Sequence, residues 1–149
     1  MIDLPDKLLR NQLYSYLKRG KILRTQLSFG NKTIFKRLIL LNVDFQGEDI
    51  FYMLTTSQVE FYNKYGIYDP IKGNYIYIAA GKTVFNPQKD MVIDCRRIDI
   101  IEKEKLFKNY KYKKLKVLGD LPSDILRQID TIVFDSVLIP QKIKEKVLP

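Results

Sequence analysis

From Lys21 to Glu102 the apolar residues of this chain fall into short runs and period-two alternation, and that pattern limits the fold more than any other feature. Side chains alternate faces along a strand, so the spacing fits β-structure and not helix. It predicts strands at 21–28, 34–44, 49–56, 74–79, 82–85 and 91–101. Turn-forming residues separate several of them: Phe29-Gly30-Asn31, Gln46-Gly47-Glu48-Asp49 and Asn86-Pro87-Gln88-Lys89-Asp90. The tyrosine-rich stretch 59–73 reads as a long loop.

Two helical patterns bracket the strands. Over 4–18, Leu8, Leu9, Leu13, Tyr16 and Leu17 share a face, Pro5 suits a first turn and Gly20 an end. Near the C-terminus, Ile125, Leu126, Ile129, Ile132 and Val133 form one apolar face, with Asp120 as the expected cap and Pro122 in the first turn. The closing Gln141–Pro149 stretch reads as a solvated tail. Strands and helices do not alternate, which excludes a parallel α/β sheet. The expected architecture is mainly β, a small, strongly bent antiparallel sheet or barrel with flanking helices, in a single domain of 149 residues.

Composition narrows the chemistry. The chain has no histidine, which removes Ser-His and Cys-His pairs, histidine bases and most zinc sites. The single Cys95 lies in an apolar run and reads as a core residue. Neither a GxxxxGK[ST] loop nor a GxGxxG turn occurs. No apolar run approaches the roughly 20 residues that span a bilayer, and the opening stretch is too charged for a secretory leader. A cytoplasmic protein without membrane contact is therefore expected. The net charge of +9 favours an anionic partner. Much of it lies in 103–116, with seven lysines against one glutamate. This run fits either a phosphate-tracking groove, with Phe107, Tyr110 and Tyr112 stacking on bases, or a solvated loop whose aromatics pack on the sheet.

One pair of features is unexplained by strand formation alone. Arg37 opens a strand, and Thr55-Thr56-Ser57 closes the next. Separately, they read as an edge charge and as strand-capping hydroxyls. Together, they raise the question of why a fixed positive charge and a cluster of hydroxyls stand at what would be the same end of a sheet.

Several stretches, in order, resemble the MazF/PemK-like toxins of bacterial toxin–antitoxin pairs. Gly20-Lys21-Ile22 stands where that family begins its first strand. "FKRLILLNVD" is similar to its Arg-Pro strand, with Arg37 at the arginine and Leu38 in place of proline. "LTTSQ" matches the Thr-Ser-Gln ending of the next strand, with Thr56 and Gln58. "KDMVIDCRRIDIIEKEKL" and "LGDLPSDILRQIDTIVFDSVLI" follow the family's later order. The resemblance runs from about Gly20 to Ile139 and leaves the N-terminal helix without a counterpart.

The resemblance implies an SH3-like, CcdB/MazF-type barrel over 20–102, preceded by a helix within 1–19 and followed by a basic insertion at 103–118 and a helix within 119–139. It implies a homodimer that cleaves single-stranded RNA without metal or cofactor and is neutralised by a cognate antitoxin. Arg37 and Thr56 take the catalytic positions, and Lys36, Ser57, Gln58, Lys111, Lys113 and Lys114 are candidates for RNA binding. No histidine is present to act as general base, which leaves a carboxylate or a lysine; Lys32 and Lys36 are near in sequence. Two other activities fit the same barrel: binding nucleic acid without cleaving it, or poisoning a protein target as CcdB-like toxins do.

Overall fold

The computed structural model describes residues 5–42, 45–57, 74–83, 86 and 88–149. The elements run α1 (Asp6–Tyr16), β1 (Lys21–Phe29), β2 (Lys32–Leu40), β3 (Asp49–Thr56), β4 (Tyr75–Ile78), β5 (Met91–Asp94) and β6 (Asp99–Glu102). They continue with α2 (Lys103–Lys111), β7 (Leu115–Asp120), α3 (Ser123–Asp135) and α4 (Gln141–Val147). The strands make one curled antiparallel sheet in the order β4-β5-β3-β2-β1-β7, with β6 also paired to β3. The architecture is mainly β, as the alternation predicts, with four helices among the described residues.

Helices cover both faces of the sheet. On one face Ile22, Ile39, Met53 and Ile93 pack with Ile125, Ile129 and Val133 of α3 and Val147 of α4. On the other, Leu23, Leu38, Leu40 and Ile50 pack with Leu13 of α1 and with Leu106 and Phe107 of α2. Burial on both sides explains why β2 and β3 carry unbroken apolar runs rather than strict alternation. Each fully buried aliphatic side chain contributes about 1.5–3 kcal/mol. α3 follows Pro122 at its N-cap, has Asp124 in its first turn, and buries Ile125, Ile129 and Val133 at helical spacing.

Three local devices set the strand registers. Gly30, at φ +60°, turns the β1–β2 hairpin so that Phe29 faces Lys32 and Arg24 faces Arg37. Asn42 acts as a surrogate backbone after β2: its amide donates to Asp49 O at 2.8 Å, and its Oδ1 accepts from Phe51 N at 2.6 Å. In β7 the register against β1 shifts between Ile22 and Leu23: Ile22 faces Gly119, whereas Leu23 faces Val117. Leu118 is thus an extra residue, a β-bulge.

Several predicted boundaries differ. The 91–101 run is two strands, β5 and β6. Residues 82 and 83 lie in a turn rather than a strand. The segment 103–118 forms α2 and most of β7, an edge strand paired with β1. Phe107 there is buried rather than presented to a ligand. The C-terminal stretch is not a tail, because α4 buries Val147. Asp120 does not cap α3; it pairs with Lys21 across the β1–β7 ladder at 2.9 Å. The tyrosine-rich loop 59–73 lies outside the described residues. Among the described residues, no helix is long and apolar enough to cross a membrane.

A candidate anion site where the sheet forks

The ladder between β2 and β3 ends at Leu38 opposite Leu54. Beyond that point β2 continues against β1 alone, while Thr55 and Thr56 turn to pair with Ile93 and Val92 of β5. The sheet therefore forks. A cavity of about 420 Å³ fills the fork, lined by Arg24, Phe35, Lys36, Arg37, Thr55, Thr56 and Ser57 from β1–β3. Asn86, Gln88, Lys89 and Met91 of the β4–β5 connection close its other side.

The fork brings Arg37 and the hydroxyl triplet together. Pleating refines which hydroxyl belongs with the guanidinium. Arg37 follows the parity of Ile39 on β2, and Thr55 follows Met53 on β3, so these two share one face of the sheet. Thr56 follows Leu54 and shares the opposite face with Lys36. Both pairs border the cavity because it lies between diverging strands rather than on one face. Thr55 is 6% exposed and hydrogen-bonds through its side chain to no described residue. Its hydroxyl borders the cavity and can donate to a ligand oxygen there.

Charge at the site is one-sided. Arg24 and Arg37 face each other directly, an arrangement that costs stability in a sheet. Arg24 lies over the Phe35 ring at 4.3 Å, which holds the guanidinium at the cavity wall through a cation–π contact. Lys36 and Lys89 add two more cations to the lining. Among the described residues, none of these four takes part in an ion pair, and no carboxylate lines the cavity. An anion would relieve the repulsion between the arginines.

The β4–β5 wall is held by Asn86. Its Oδ1 accepts from Thr83 N at 3.1 Å and also from the Thr83 hydroxyl, and its amide donates to Ala79 O at 3.0 Å and Lys89 O at 3.3 Å. One buried side chain thereby sets where Lys89 and Gln88 stand.

Of the residues expected at a site, Arg37, Thr56, Lys36 and Ser57 line the cavity. Gln58 lies outside the described residues. Lys111, Lys113 and Lys114 do not line it; they sit at the turn from α2 to β7. There Lys111 pairs with Asp6 at 3.0 Å, Lys113 takes φ +60° to make the turn, and the Lys114 carbonyl accepts from Gln26 N at 3.2 Å. Lys32 starts β2 at the hairpin tip and is also outside the lining. Arg24, Phe35, Asn86, Gln88, Lys89 and Met91 are the lining residues that inspection of the sequence passes over. Arg24 had a readable signal: a two-residue turn at Gly30-Asn31 makes positions 24 and 37 partners.

No family model matches the chain, and no curated protein matches it.

Proposed function

We propose that the fork cavity binds a phosphodiester of single-stranded RNA and that the chain is a metal-independent endoribonuclease on a CcdB/MazF-type barrel. The observation that carries the reading is the facing pair Arg24–Arg37, without a carboxylate, beside the Thr55-Thr56-Ser57 hydroxyls. In this reading the ribose 2′-oxygen attacks phosphorus, the P–O5′ bond breaks, and the products are a 2′,3′-cyclic phosphate and a 5′-hydroxyl. The 2′-hydroxyl proton passes to solvent water and the leaving 5′-oxygen takes a proton from water, so the net reaction is a transesterification. Arg37 and Arg24 hold the non-bridging oxygens as charge grows on the phosphorane, which is where fixed donors contribute most. The Thr55 hydroxyl, on the face of Arg37, orients the same phosphate, and Thr56 and Ser57 border the substrate from the other side of the cavity. A homodimer and a cognate antitoxin belong to the same reading.

One observation favours a second reading. No carboxylate lines the cavity and the chain has no histidine, so among the described lining residues the side chains left to act as general base are the amines Lys36 and Lys89. The same cavity then serves a module that holds single-stranded nucleic acid without cutting it. Incubation of the purified protein with mixed RNA in EDTA, followed by mapping of the ends, separates the two. Cleavage gives cyclic-phosphate ends from RNA and none from a 2′-deoxy copy. Salt-sensitive binding with no new ends at protein excess refutes the nuclease and leaves the binding module.

A further inference from the structure

The bulge in β7 has a chemical consequence at the cavity. At one end of the β1–β7 ladder Lys21 faces Asp120, so charge is neutralised. If pairing continued in that register, Val117 would face Arg24, and Lys116 would point to the opposite face. The extra residue Leu118 shifts the count by one, and Lys116 faces Arg24 instead. Arg24 in turn faces Arg37 on β2. Three cations therefore stand in one transverse row, one on each of three neighbouring strands and all on one face.

The row Lys116–Arg24–Arg37 starts at the cavity and ends at the sheet edge. Strands lie about 4.7–4.9 Å apart, so its backbone positions span about 10 Å. None of the three pairs with an acid among the described residues. Lys116 is exposed. A lysine on an edge strand also deters pairing with another chain, but that role requires no particular partner opposite it. Lining up three repelling charges does, since it costs stability in the free protein. A bulge beside a binding site that re-aims one side chain is a recurrent use of this irregularity.

We infer that Lys116, Arg24 and Arg37 form a track that carries the nucleic-acid backbone out of the cavity, across β1, to the β7 edge. The inference rests on the single-stranded nucleic-acid reading of the cavity and adds a direction and a footprint. The chain crosses the strands rather than running along them. A ligand with one phosphate occupies the cavity, and only a longer one reaches Lys116.

The test uses 2′-deoxy oligonucleotides, which the proposed chemistry cannot cleave, as a dinucleotide and as an octanucleotide of the same base. Affinity is measured against salt for the wild type, Lys116→Gln, Arg24→Gln and, as a control on the opposite helix layer, Lys105→Gln. With the octanucleotide, Lys116→Gln and Arg24→Gln each flatten the plot of log K against log salt by about 0.7, the loss of one phosphate contact. Lys105→Gln leaves it unchanged. With the dinucleotide, Lys116→Gln binds as the wild type does. An unchanged slope for Lys116→Gln, with a flatter one for Arg24→Gln, overturns the track and leaves the cavity reading standing. Failure of the wild type to bind either oligonucleotide overturns both. Lys116 is exposed, so circular dichroism of the variant is expected to match the wild type.

Discussion

Two basic regions of this protein make opposite use of their charge. The α2 segment lies in the lysine-rich stretch 103–116, and several of its charged groups are engaged in holding the fold. Lys103 is buried, donates to the Phe45 carbonyl and lies 5.2 Å from the Tyr14 ring centre. Arg10 of α1 grips both oxygens of Glu104, and Lys111 pairs with Asp6. The fork cavity draws its cations from positions scattered along the sequence, and none has an acid within reach among the described residues. Charge density along the chain and uncompensated charge in space thus mark different regions here. Absence of compensation in space is the better sign of an anion site, because a protein has no structural reason to face arginine with arginine.

The largest expected effect that sharpens this contrast is on chemistry. Arg37→Ala is expected to lower RNA cleavage by about 10²–10³-fold, the usual loss on removing one fixed donor to a developing anion. Its melting temperature is expected to hold or rise, since a repulsion with Arg24 disappears. Lys111→Ala is expected to cleave like the wild type. Equal losses in both variants, measured on one RNA at one salt concentration, would erase the distinction between the regions.

The next effect is on stability. The Asn109 amide of α2 donates to the Thr25 hydroxyl and to the Gln26 carbonyl, each at 2.9 Å, and the Thr25 hydroxyl donates to Lys114 O at 3.3 Å. Asn109→Ala leaves buried groups of β1 without a donor and is expected to cost about 1–3 kcal/mol in urea unfolding. Loss of cleavage without loss of stability in that variant would place α2 in the site rather than in the frame.

The smallest effect is on acid sensitivity. The hydrogen bond from Arg10 holds the Glu104 carboxyl below its ordinary value of 4.5. A carboxylate depressed on folding adds stability above its unfolded value and loses it as pH falls through the folded one. Glu104→Gln is therefore expected to melt slightly below the wild type at pH 7, with the gap closing as pH falls below about 4.5. A gap that widens in acid would break the picture of α1 and α2 as a charge-clamped frame.

Legibility in the sequence followed the size of the local signal. β1 alternates, β2 and β3 carry continuous apolar runs, and turn residues separate the three, so their existence is plain. So is the facing of Arg24 and Arg37, once the hairpin is folded about Gly30-Asn31. α3 is plain from Ile125, Ile129 and Val133. By contrast, α2 offers only Leu106 and Phe107 as a face, and β7 only Leu115 and Val117 in alternation, both amid lysines. Their structure comes from packing on β1 and α1, which no local pattern reports. Lys116 was hidden for a sharper reason. A single added residue in its strand reverses the face it occupies, and nothing in the neighbouring residue types announces where a bulge falls.

The Asn42 side chain, which joins the Asp49 carbonyl to the Phe51 amide, has a practical corollary. Because it closes the β2–β3 connection at its base, the register of β3 does not depend on the length of chain beyond that closure. Doubling a flexible loop costs only about 0.6 kcal/mol. A peptide handle or fluorescent reporter spliced between the exposed Gln46 and Gly47 is thus positioned to ride on the protein while the fork, on the far half of β3, keeps its geometry.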